Sequence, residues 1–316
     1  MLFGTRTQVA ALACAAILLA WPAWALDCKP MIDDFNAAVD AGNDGDAQKQ
    51  VDKIAVSAEC GRYQVSTQIR LAAMRLSAAQ ALIQRERPPS EYERPLVAAE
   101  SAGVLWQASA TLGDTRFGQR RFVEAAQAFD RAIEVVKNET LTPSPPPRAD
   151  IEGIVERAAQ ARLLAANPTT AKGEAKFVRT ALDRRDGTVG GYYSPSVRGI
   201  VPRTVAVPIT FDFAKTTFTG IGEDAARELA SVLREQRPPR VVLVGHTDAR
   251  GSDERNMALS LARAEAVAAF LRQNGVAIAI ETIGKGAREP MQITDKAGLT
   301  QEDIFALDRR VEWRRD

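Results

Sequence analysis

The spacing of apolar residues changes once along this chain, and that change limits what it can fold into. From Asp27 to about Lys137 apolar residues recur every three or four positions, as in "TQIRLAAMRLSAAQALI" and "FVEAAQAFDRAIEVV", the period of amphipathic helices. Beyond Arg203 the pattern is mixed. "VAVPITFDF" (205–213) alternates like a half-buried strand, "GEDAARELASVLREQ" (222–236) is helical, and "RVVLVGH" (240–246) is a continuous apolar strand. A long helix over 252–275, which Gly275 can close, precedes strands at 277–284 and 309–315. The expected fold class is α+β: an all-helical N-terminal region followed by an α/β sandwich with helices packed on a sheet.

Breaks in the pattern set the expected domains. The proline run "TPSPPPRAD" (142–150) forbids helix and favours an extended spacer, a helical stretch fills 150–183, and "RRDGTVGGYYSPSVRG" (184–199) has no period and reads as a connector. This gives a helical region over 26–141, a linker with additional helices over 142–203, and the last domain over 204–316. The first 25 residues place Arg6 ahead of the apolar run Val9–Trp21, with Ala23 and Ala25 around Trp24, the layout of a secretory signal cleaved after Ala25. An uncleaved inner-membrane anchor is the alternative, disfavoured because the run is shorter than the ~20 residues of a spanning helix. Lipidation at Cys14 is a weaker one, since Ala11 stands where a lipobox has leucine.

Export puts Cys28 and Cys60 in an oxidising compartment. Residues 31–42 and 46–58 read as two short helices around Gly42-Asn43-Asp44-Gly45, and an antiparallel pair brings its outer ends, where both cysteines sit, together. A Cys28–Cys60 disulfide is expected, with two unpaired thiols as the alternative. Two cysteines and one distant histidine cannot make a four-ligand zinc site, so no metal is expected. Lysine plus arginine (41) and aspartate plus glutamate (40) nearly cancel, which disfavours nucleic acid as a partner. No series of ~10-residue alternating strands marks an outer-membrane barrel.

Two stretches resemble known families. "LGDTRFGQRRFVEAAQAFDRAIEV" (112–135) resembles a tetratricopeptide repeat, with Leu112, Gly113, Phe122, Ala125, Phe129 and Ala132 at that motif's offsets, although Arg116 replaces its tyrosine and no closing proline follows. An irregular helical bundle with one chance match is the alternative. "GHTDARGSDERNMALSLARAEAVAAFL" carries Gly245, His246, Thr247, Asp248, Gly251, Asn256, Leu259, Ser260, Arg263, Ala264 and Val267 at the fixed offsets of the OmpA-like peptidoglycan-binding domain family. The resemblance extends over 204–316 and implies noncovalent binding of the diaminopimelate in peptidoglycan stem peptides, without a cofactor.

That ligand's free end carries an ammonium and a carboxylate on one carbon, so it calls for an anion and a cation held close together. The resemblance assigns the ammonium to Asp248 and the carboxylate to Arg263, whose planar fork lysine cannot reproduce. Asn256, Ser260 and Arg263 fall at i, i+4 and i+7 and share one helix face, the expected pocket wall. Asn256 and Thr247 join the site chiefly by tying down its loop, and Arg309 and Arg310 are expected to support it. Met257, Leu259, Leu261, Ala264, Ala266, Phe270 and Leu271 make the broad apolar side expected to pack on the sheet. His246 is the single histidine of the chain, it lies one strand residue before the loop, and no G-x-S-x-G accompanies it. It reads as a packing or loop-supporting residue, and the chain reads as no enzyme.

Three departures from the family pattern bear on affinity. Ala214 stands where many members carry a second acid, Asp308 replaces the usual asparagine before Arg309-Arg310-Val311, and "GKGAREP" has Lys285 and Ala287 for an aromatic and an acid. The expected role is a periplasmic tether between cell wall and an envelope assembly, with peptidoglycan and a protein held by the helical region as partners, and with peripheral outer-membrane association. The rivals are an inner-membrane-anchored motor or secretion component using the same domain, and an interaction scaffold whose wall site has decayed.

Overall fold

A computed structural model describes residues 28–170, 175–178, 191–293, 296 and 298–315, and the chain divides into two compact units, Met1–Gln64 and Val65–Asp316. The expected signal segment, 1–25, lies outside the described residues. Among the described residues no helix is long and apolar enough to cross a membrane.

The first unit is a helical hairpin, α1 (Lys29–Asp40) and α2 (Asp44–Val56), followed by a short 3-10 turn at Gly61–Tyr63. Asn43 caps α2, its side chain accepting from the Asp46 N–H, so the turn between the helices is fixed where the sequence places it. The outer ends meet in a Cys28–Cys60 disulfide with a Cα–Cα distance of 5.6 Å. Both cysteines and Ile54 are buried, and Met31, Ile32 and Tyr63 pack around them.

The second unit begins with α3 (Gln64–Gln84), α4 (Pro89–Ser101), α5 (Trp106–Gly118), α6 (Phe122–Lys137) and α7 (Arg148–Ala166). Within the α5–α6 pair the Phe129 ring lies over Gly113, where a Cβ would stand 2.6 Å from it. Only glycine permits that approach. Phe117 and Phe122 close the turn edge to face, their centroids 5.3 Å apart.

The sheet follows: β1 (Thr204–Val207), β2 (Arg240–Gly245), β3 (Ala279–Gly284) and β4 (Val311–Arg314), in the order β1-β4-β2-β3, with β2 and β3 parallel and the other pairs antiparallel. Helices α8 (Gly220–Gln236), α9 (Asp253–Gln273) and α10 (Gln301–Asp308) lie between the strands in sequence. β1 is shorter than its alternating pattern because Pro208 has no N–H to continue the ladder. Residues after it form a loop pinned by a Phe211–Phe218 bridge.

Period-2 alternation sends Val205, Leu243, Val311 and Trp313, all buried, to one face of the sheet. There α9 sits directly on the end of β2, for a Cβ on Gly245 would collide with the Ser260 carbonyl oxygen. This close seating changes which helix face is covered. The buried residues of α9 are Asn256, Ser260, Arg263, Ala264, Val267, Ala268 and Leu271, whereas Leu261, expected on the packed side, is 37% exposed.

The opposite sheet face bears Ala206, Glu312 and Arg314 and looks toward α7. Here the structure departs from the sequence reading. α7 is not a helix in a spacer, since Ile151, Ala158 and Leu164 belong to one apolar core running from Phe117 to Trp313. The described part of the expected connector, 191–199, contributes to the core as well: Tyr192, Tyr193 and Val197 join it, and the Tyr192 hydroxyl donates to the Ala206 carbonyl. Aromatic rings without any period bury as effectively as a periodic stripe when a partner surface exists. A buried Arg162–Asp130 ion pair locks the arrangement, Asp130 also accepting from the Tyr192 N–H at 3.1 Å. The helix expected through 173–183 is absent at 175–178, and its remaining residues lie outside those described.

Candidate functional site at the end of the second strand

After β2 the chain turns through 246–252 into α9, whose cap is Ser252, accepting from the Arg255 N–H. Three hydrogen bonds hold that loop. The Asn256 amide donates to the carbonyls of Asp248 (3.3 Å) and Arg250 (3.1 Å), and the Thr247 N–H donates to the Gly286 carbonyl at 2.9 Å. Ser260 reaches the same neighbouring loop, its hydroxyl accepting from the Gly286 N–H at 2.9 Å. The shared face of Asn256, Ser260 and Arg263 is therefore turned toward the loops at the strand ends.

Asp248, nearly buried, is held among cations. Its Oδ2 accepts from Arg250 Nη2 at 2.6 Å and from Arg309 Nη1 at 2.7 Å, and its Oδ1 from the Arg250 N–H at 3.1 Å. Burial pushes this carboxyl up, but the hydrogen bonds from Arg250 and Arg309 outweigh it and the group titrates below the ordinary 3.8. Glu302 on α10 completes the cluster, accepting from Arg309 Nη2 at 2.8 Å and lying 3.6 Å from Arg250. Phe305 lies under the Arg250 guanidinium, 4.7 Å from ring centroid to carbon.

Arg263 is buried beside this cluster and pairs with no carboxylate among the described residues. Its guanidinium lies over the Phe211 ring at 4.9 Å, and its Nε donates to the Lys215 carbonyl at 3.1 Å. Burial, then repulsion from Arg309, press its pKa down to about 10, with the Asp248 charge partly opposing both. Three arginines, 250, 263 and 309, thus face two acids, Asp248 and Glu302. The surplus positive charge rests on the arginine whose fork is least engaged.

The structure separates the two arginines grouped by the sequence. Arg309 grips Asp248, while Arg310 turns to the far face of the sheet, where its Nε donates to Glu312 at 2.8 Å. His246 belongs to that far face too, its side chain fully buried and Nε2 3.3 Å from Glu312. The Thr247 hydroxyl is buried with no hydrogen-bond partner among the described residues. Asp308 accepts from the Met291 N–H at 2.8 Å, a bond an asparagine oxygen would make as well. Ala214 adopts a left-handed φ of 55° beside Lys215, whose carbonyl meets Arg263. Lys285 pairs with Glu289 at 2.7 Å.

Sequence reasoning missed Arg250 and Glu302. Arg250 lies between motif positions in "TDARG". Glu302 belongs to α10, whose start was legible in Thr300-x-x-Asp303, a capping box in which each side chain meets the other's backbone N–H.

Known proteins are similar to this chain over the same span. Residues 210–304 match the OmpA family. A probable lipoprotein of Escherichia coli K12, YiaD, is 35% identical over 105 residues, covering 33% of this chain and 46% of that protein. Outer membrane protein A of Escherichia coli O157:H7 is 35% identical over 118 residues, 34% of each chain. The chain thus spans less than half the length of these relatives. Among solved structures, the peptidoglycan-associated lipoprotein of Burkholderia pseudomallei is 26% identical, with 36% of this chain and 89% of that one covered and a TM-score of 0.30. The cell wall anchor of the T6SS of Pseudomonas aeruginosa is 27% identical, with 35% and 76% covered and a TM-score of 0.29. On the family match and the motif, the C-terminal part of this chain is an OmpA-like domain, carried behind a helical N-terminal region.

Proposed function

We propose that the protein binds peptidoglycan noncovalently through the diaminopimelate of its stem peptides and tethers an envelope assembly to the cell wall. The reading is non-enzymatic and places the chain in the periplasm, against the wall or the outer membrane. The observation that carries it is the Arg263 guanidinium, buried next to the Asp248 cluster with no carboxylate in ion-pair contact among the described residues. A ligand carboxylate supplies the missing anion, and the two-pronged fork fixes its orientation. The ligand ammonium takes Asp248 in exchange for Arg250, whose side chain is 52% exposed and free to swing into water. Arg309 remains as the fixed partner on the other side of Asp248.

The α5–α6 pair, with Phe129 seated on Gly113, serves in this reading as a single tetratricopeptide-like unit, and the helical region holds the protein partner. The rival of a decayed wall site draws on the same cluster, since Arg250 and Arg309 already satisfy Asp248. Sedimentation with purified sacculi separates the two. Wild type is expected to cosediment and to be released by free diaminopimelate, while folded Asp248→Ala and Arg263→Ala variants stay in the supernatant. Equal retention of both variants removes this site.

A further inference from the structure

On the sheet face away from Asp248, α7 and the loop at 288–292 enclose a cleft of about 590 Å³ that the wall-binding reading does not use. That volume is in the range of small-molecule sites. One wall is a stripe of α7, Ile151, Val155 and Ala159, at i, i+4 and i+8, and Pro290 and Met291 face into it from the loop. The floor is charged. Glu289, Arg314, Glu312 and Arg310 line it as a continuous chain of ion pairs, and Lys285, outside the lining, adds a third cation on Glu289. Glu312 is held down to about 2 against its burial by His246 and Arg310, so both acids of the chain are ionised and one positive charge is left over. Arg310, only 5% exposed, lines the cleft, and its Nη1 has no hydrogen-bond partner among the described residues. A buried guanidinium nitrogen without an acceptor is costly, and an entering anion would relieve it.

We propose that this cleft is a second ligand site, and that it takes a small amphipathic monoanion, an alkyl carboxylate, with its head on the Arg310–Arg314 floor and its apolar body along α7. The head lies away from the α7 wall because Glu152 and Glu156 stand there. Exposed Arg203 also lines the cleft and adds attraction for an anion. The four arginines and four glutamates that line the cleft balance, so a monoanion seated at its arginine end suits it better than a phosphate dianion.

The test is calorimetric and NMR titration of the full chain with octanoate, octanol and octylammonium. Octanoate is expected to bind saturably with one-to-one stoichiometry, octanol at least ~tenfold more weakly, and octylammonium not at all. Ala159→Leu fills the cleft and lowers octanoate affinity at least ~tenfold, while Asp248→Ala leaves it unchanged. The charge series needs no variant, so it stands even where a floor substitution prevents folding. Absence of saturable octanoate binding overturns the proposal. So does equal binding of the three probes, or undiminished binding in a folded Ala159→Leu variant.

Discussion

Arg120 offers the sharpest test of how the helical region and the OmpA-like domain are held together. It closes the α5–α6 turn and grips Asp303 of α10 with both prongs, Nη1 to Oδ2 at 2.6 Å and Nη2 to Oδ1 at 2.8 Å. The Asp303 side chain is fully buried and that of Arg120 is 26% exposed. Removing one partner of a buried pair costs about 3–5 kcal/mol, because the other charge is left without compensation. Two features pull the expectation for Arg120→Ala to the lower end, about 3 kcal/mol. Water reaches the vacated position, and Thr300 still donates to Asp303 from its N–H and its hydroxyl, each at 2.7 Å. The left-handed φ of 63° does not contribute, since arginine and alanine both carry a Cβ. The assay is urea unfolding as a function of pH. Burial pushes the Asp303 carboxyl up, but the Arg120 and Thr300 hydrogen bonds overcome it, so its folded pKa lies below the ordinary 3.8. A depressed carboxylate contributes stability that is complete above 3.8 and is lost as pH falls through the folded value. The gap between wild type and variant should therefore be widest near neutrality and close below 3.8. A gap under about 1 kcal/mol at pH 7, or one that does not change with acid, refutes the latch.

Two further outcomes are expected. Gly245→Ala forces a Cβ into the Ser260 backbone, which cannot swing aside as a side chain can, and should destabilise the domain by about 3 kcal/mol in the same urea assay; a loss under ~1 kcal/mol contradicts the direct seating of α9 on β2. Cys28→Ser with Cys60→Ser opens a crosslink of sequence separation 32, worth about 3–4 kcal/mol, and reduction of wild type should reproduce the loss in the first unit; resistance of that unit to thiol reductants argues against a stabilising disulfide.

Much of this was legible in the residues, for identifiable reasons. Strands β2 and β4 show their alternation and apolar runs directly, and the motif from Gly245 to Val267 places the loop and the first half of α9 together. The polarity of α9 misleads, however. A hydrophobic stripe ordinarily faces the sheet, but the Gly245 contact brings the helix backbone down so that Ser260 and Arg263 face inward and Leu261 is left outside. Tyr192 and Tyr193 sit in a stretch without period, and only the surface offered by α7 and Ala206 explains their burial. The parting of Arg309 and Arg310 was available from strand alternation, because neighbours entering β4 point to opposite sides. Nothing local in the sequence announces the Arg120–Asp303 pair, which joins positions 183 residues apart.

The proposed wall site is a two-point clasp, Asp248 on the ammonium and Arg263 on the carboxylate of one amino-acid head group. The most direct measurement compares retention on sacculi whose stems carry diaminopimelate with retention on walls whose stems carry lysine, which lacks the second carboxylate. A charge-assisted pair contributes about 1.5–3 kcal/mol, so the clasp predicts ~10- to 100-fold weaker binding to the lysine wall, with Arg263→Lys showing little preference between the two. Equal binding of wild type to both walls would contradict it.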